Sequence, residues 1–125
     1  MTKAVLIILA SIGVVVGGGW LALEWFARGM CGNRLVAEAI SPSRAKKAVL
    51  FERSCGATTG FSSQVSVIPA SAELRNASGN AFVADGHPVG YELRWVDDST
   101  LQIIGVNGRV FKRESRVSGV AITYE

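Results

Sequence analysis

With 125 residues and a formal net charge of +3, the chain has room for one small globular domain with one core, and none for a second domain. Its 13 basic residues are scattered among 10 acidic ones, so the surplus forms no basic face of the kind nucleic acid requires. Two cysteines and a single histidine leave few groups for thiol or metal chemistry.

Residues 4–26 carry one charge, Glu24, close to their end, and as a helix they extend about 35 Å, enough to cross a bilayer core. Trp20 and Trp25 stand toward the C-terminal end, where amphipathic rings favour headgroup level, and Lys3 stands at the other. A cleaved signal peptide, with Gly17 and Gly19 before the cut, is the rival reading, but the apolar stretch outruns the usual apolar region of about 7–15 residues. The expectation is an uncleaved signal-anchor, a single transmembrane helix with a short linker over residues 1–28. Gly13 and Gly17 have the spacing that lets two helices approach closely, which would support a homodimer, although consecutive glycines at 17–19 also loosen a helix.

Two signals compete over orientation. Arg28, Arg34, Arg44 and Lys46 follow the helix closely and favour keeping the domain in the cytoplasm. The cysteine pair in a small domain favours an oxidising compartment. We expect the inner membrane, with the domain on the periplasmic side.

Residues 29–125 read as an all-β domain. Residues 34–40 alternate weakly and end at a Ser41-Pro42-Ser43 turn, and residues 45–54 hold Val49, Leu50 and Phe51 in succession, as expected of a strand covered on both faces. Residues 61–68 set Phe61, Val65 and Val67 against Ser62, Gln64 and Ser66, the pattern of a half-buried strand. Residues 69–79 are irregular, belong on the surface and contain the sequon Asn76-Ala77-Ser78. Residues 80–84 form a short strand, broken at Asp85-Gly86-His87-Pro88. In 89–96, Val89, Tyr91, Leu93 and Trp95 share one side. Asp97-Asp98-Ser99 turns into 100–106, Asn107-Gly108 signals a hairpin joining that strand to 109–114, and Ser118-Gly119 leads into 120–124. Short strands at regular spacing predict a small antiparallel sandwich or curled meander, with propeller-blade-like strand-turn-strand units at 40–51 and 95–104 but too few residues to close a propeller.

The turn at Cys55-Gly56-Ala57-Thr58-Thr59-Gly60-Phe61 reverses the chain between two strands, and pairing Cys55 with Cys31 in a disulfide would staple it to the start of the domain. A thiol reaction at Cys55 would need His87 as base. Amides around Gly56, Ala57, Thr58, Thr59 and Gly60, with charge from Arg53, make a candidate anion-binding loop, though no helix follows it as in a P-loop. Asp85 and His87 fall short of a zinc ligand set, so no metal and no cofactor is expected. Asp97 and Asp98 read as a turn rather than an acid-base couple. Arg109, Lys112, Arg113 and Arg116 form the local basic cluster, read as a solvated edge strand with anionic lipid headgroups as the alternative.

Ser41-Pro42, Ala48-Val49-Leu50-Phe51, the run from Cys55 to Ser66, Gly79-Asn80-Ala81-Phe82 and residues 95–101 together resemble a family of short, uncharacterised bacterial membrane-anchored proteins, whose most specific feature here is the Cys-Gly-Ala-Thr-Thr segment. The resemblance implies a bacterial cell-envelope setting and brings no activity and no catalytic residue. The functional expectation is a non-enzymatic, membrane-anchored envelope protein whose β domain binds a protein or envelope component. The alternative is a thiol-dependent enzyme or redox protein using Cys55.

Overall fold

The computed structural model describes residues 2–56 and 60–125, and over 23–29 the backbone alone. It divides into two units, Met1–Met30 and Cys31–Glu125. The first is helix α1, Thr2–Gly29. Its stretch Thr2–Ala22, with a mean hydropathy of 2.3, is long and apolar enough to cross a membrane. Leucine, isoleucine, valine and alanine dominate this stretch, and none of its side chains is buried against protein.

Among its described residues the second unit holds nine strands. They are β1 (Gly32–Ile40), β2 (Lys46–Ser54), β3 (Ser62–Pro69), β4 (Phe82–Asp85), β5 (Glu92–Asp97), β6 (Thr100–Ile104), β7 (Val110–Arg113), β8 (Arg116–Val117) and β9 (Val120–Tyr124). Two sheets form, in the orders β1-β2-β3-β4-β7 and β5-β6-β9-β8. The all-β sandwich behind one N-terminal helix is therefore the fold. All pairings in the first sheet are antiparallel, whereas in the second β6 and β9 run parallel.

Alternation builds the core. Ala48 and Leu50 of β2, Val65 and Val67 of β3, and Phe82 and Ala84 of β4 face Leu101 and Ile103 of β6 and Val120 and Ile122 of β9. Tyr91, Leu93 and Trp95 close one side, and the Trp95 indole donates to the Ala39 carbonyl at 2.8 Å. Val89, expected beside them, is exposed in the turn before β5.

Val49 and Phe51 point away from this core yet are fully buried. Residues 70–80 cross the sheet's outer face, bonding to β1 through Asn33 and to β3 through Gln64 and Ser66. Because β2 lies between β1 and β3, Val49 and Phe51 lie beneath that crossing. The continuous apolar run in β2 is thus covered on both faces, as its sequence predicts. The polar face of β3 is buried too, instead of solvated, because Gln64 Oε1 accepts from the Gly79 amide at 2.6 Å and Ser66 Oγ from the Asn80 amide at 3.1 Å.

Asn107-Gly108 does not make the expected hairpin. Strand β6 pairs with β5 and β9, and β7 pairs with β4, so the turn carries the chain from one sheet to the other. A two-residue type I′ hairpin requires positive φ at both central residues. Here Gly108 has φ 80° while Asn107 is absent from the left-handed region. The Asn107 side chain instead donates to the Val89 and Gly105 carbonyls, and a Cβ at position 108 would fall on the Asp85 carbonyl oxygen. The two-residue hairpin with both φ values positive is Ser118-Gly119, at 50° and 78°, joining β8 to β9.

Candidate functional site

The β1–β2 register sets Gly32 opposite Ser54 and so brings the flanking residues Cys31 and Cys55 together. A disulfide joins them, with Cα atoms 3.8 Å apart. Polar clusters stand on both faces of the sheet at this end.

On the core-facing side, Glu52 is aligned with Arg34 of β1 and Ser63 of β3. Its side chain is only 7% exposed. The carboxylate accepts from Arg34 Nη2 at 3.0 Å and meets His87 Nδ1 at 3.1 Å. Loop residue His87 stacks against Phe61 with ring centroids 4.6 Å apart. The hydrogen bond from His87, reinforced by Arg34, holds the Glu52 carboxyl below its ordinary range despite the opposing effect of burial. A carboxylate-oriented imidazole is half of a general-base arrangement. Ser63, facing the same side, donates its hydroxyl proton to the Gly86 carbonyl at 2.8 Å, so the cluster ties the β4–β5 loop to β2.

On the opposite face, Arg53 Nη1 donates to Asn33 Oδ1 at 2.8 Å and to Asn76 Oδ1 at 3.0 Å. Asn76 Nδ2 donates to the Cys31 carbonyl at 2.8 Å, and Asn33 Nδ2 to the Arg75 and Ala77 carbonyls. These bonds fasten residues 75–77 against β1 beside the disulfide. Between the crossing segment and the strand lies an open cleft of about 500 Å³, lined by Gly32, Asn33, Leu35, Glu38, Lys47, Glu73, Leu74, Arg75 and Asn76. Lys47 and Glu38 form an ion pair at 3.3 Å within it, and Leu35 is half-exposed. The lining thus offers both signs of charge, amide groups and two leucines, Leu35 and Leu74, along a strand at the edge of its sheet.

Of the residues singled out in the sequence, Cys31, Cys55 and Arg53 meet here. Arg53 donates to the two asparagines, Asn33 and Asn76. Gly56 and Gly60 bound the turn, and the candidate loop residues Ala57, Thr58 and Thr59 lie outside the described residues. His87 pairs with Glu52, while Asp85 sits at the end of β4 opposite Ser62. Asp97 caps its own turn through the Ser99 amide and hydroxyl, which hold its carboxyl below the ordinary range. Asp98 accepts from the Ser43 amide at 2.7 Å. Asn33, Glu38, Lys47 and Glu52 belong to no motif in the sequence, and Asn76, singled out there only as part of a sequon, accepts from Arg53 and donates to the Cys31 carbonyl. The one available signal was the pair of charges bracketing the apolar run of β2.

Comparison with protein families, with curated proteins and with solved structures finds no match to this chain.

Proposed function

We propose that the chain is a non-enzymatic, membrane-anchored protein of a bacterial envelope whose β domain binds another protein or an envelope component through the cleft beside β1. The observation that carries this reading is the bonding of the cleft's walls. Asn33, Arg53 and Asn76 hold the crossing segment to the strand through side-chain hydrogen bonds next to the disulfide, so little ordering cost remains when a ligand arrives. Mixed charge, amides and an exposed leucine suit an extended polar segment rather than a compact apolar molecule.

A thiol-dependent reaction at Cys55 would first have to open its bond to Cys31. The same bond favours the periplasmic side of the inner membrane, against the positive charges that follow the helix. In the membrane, Gly13 and Gly17 would let two such helices approach closely. The resemblance to short bacterial membrane-anchored proteins fits this setting.

The test is a crosslinking pull-down from intact membranes with the full chain and with Arg53→Gln, which removes the clamp on Asn33 and Asn76. The reading predicts a discrete partner that is lost or much reduced with Arg53→Gln. A partner profile identical for both chains contradicts it. Alkylation of the unreduced protein checks the thiol alternative, and labelling at Cys55 would favour it. Protease access to the domain in cells with an opened outer barrier decides the side of the membrane.

A further inference from the structure

Strand β7, Val110–Arg113, ends the five-stranded sheet, with β4 on one side and no strand on the other among the described residues. The polypeptide groups facing away from β4 are therefore free to pair. On this strand and directly before it stand Arg109, Lys112 and Arg113, and none of the three makes an ion pair among the described residues. Phe111, at the register shift between β7 and β4, is 60% exposed, and the Arg109 guanidinium lies 5.4 Å over its ring.

Lysine and arginine on an edge strand ordinarily serve to discourage pairing. An edge built only for that purpose would have no use for an exposed phenylalanine, whose covering stabilises any complex that forms. The charges are also placed on both faces. Lys112 lies opposite Val83 and reaches the Gly79 carbonyl at 3.1 Å. Arg113 lies opposite core residue Phe82, with its guanidinium 4.4 Å over Tyr124.

We propose that the β7 edge is a docking strand for an extended acidic segment of a partner protein, added to the sheet by backbone hydrogen bonds. Successive residues of an added strand point to opposite faces, so one would meet Lys112 and the next Arg113. The fitting segment is acidic at consecutive positions, not at alternate ones, and carries an apolar residue to cover Phe111. This surface is separate from the cleft beside β1 and does not depend on it.

The probe is a fluorescein-labelled octapeptide of six glutamates between two valines, titrated by fluorescence anisotropy against the full chain in nanodiscs of neutral lipid. Saturable binding is expected, weakening with added salt. Methylating alternate amide nitrogens, which keeps every charge but removes strand hydrogen bonds, should weaken it at least tenfold. Lys112→Glu with Arg113→Glu should do the same. If that double variant loses its strand spectrum, Arg109→Gln takes its place, with at least a threefold loss expected. Absence of binding, or equal binding of the methylated peptide, overturns the proposal. So does capture of anionic phosphatidylglycerol vesicles, in place of the peptide, with the same charge dependence, since the edge would then be a lipid-binding surface.

Discussion

Replacing both cysteines, Cys31→Ser with Cys55→Ser, removes a bond that closes a separation of 24 residues. The conformational restriction of the unfolded chain by such a loop corresponds to about 3.4 kcal/mol at 25 °C. Native contacts around the bond do not need it. Arg53 keeps Asn33 and Asn76, and Asn76 keeps the Cys31 carbonyl, so the variant should fold and lose stability mainly through its denatured state. For a domain of this size the loss corresponds to a fall in Tm of roughly 15–25 °C. The assay is urea unfolding of the full chain in detergent, followed by tryptophan fluorescence with and without reductant. Freed of its crosslink, the denatured chain exposes more surface, so the denaturant slope should rise while the midpoint falls. A loss below about 1 kcal/mol with an unchanged slope would refute this reasoning.

Phe82 is fully buried, with Tyr91 and Tyr124 rings 6.0 and 5.7 Å away, and Phe82→Ala should cost about 3–5 kcal/mol by chemical denaturation. Gly108→Val sets a β-branched residue at φ 80° with its Cβ on the Asp85 carbonyl; destabilisation of roughly 2 kcal/mol or more is expected, and an unchanged melting curve would place the sheet crossover elsewhere. The Glu52 carboxyl is held below its ordinary value of 4.5, chiefly by His87. A depressed folded value means that its stabilisation is present above the unfolded value and is lost as pH falls through the folded one. Glu52→Gln should therefore be less stable than the native chain at pH 7, with the difference closing as the pH drops below about 4.5.

Local patterning carried much of the fold. The strict alternation in β5 and the unbroken apolar run of β2 both led to the correct burial, because each is set by which faces the strand must cover. Topology was harder. Asn107-Gly108 has the composition of a tight hairpin, yet the bonds from Asn107 to Val89 and Gly105 and the close approach to Asp85 make it a crossover between sheets. Ser118-Gly119, a weaker turn signal, took the hairpin geometry. The burial of Gln64 and Ser66 is not legible because their partners are backbone amides of a segment far from β3 in the chain: Gly79, at the end of a stretch that reads as plain surface, and Asn80, at the start of the expected strand 80–84. At the candidate site, the disulfide followed from having two cysteines in a small domain. The cleft did not, since Asn33 and Asn76 acquire their roles only when a distant loop folds over the strand.

The claim that the cleft beside β1 receives a partner is tested most directly by site-specific photo-crosslinking. A photoreactive residue at Leu35, inside the cleft, is compared with one at Val89, which is more exposed and lies outside it, in the full chain in its native membranes. A discrete adduct from position 35, absent from position 89 and abolished by Arg53→Gln, is the predicted result. No adduct at position 35, or the same adducts from both positions, would contradict it.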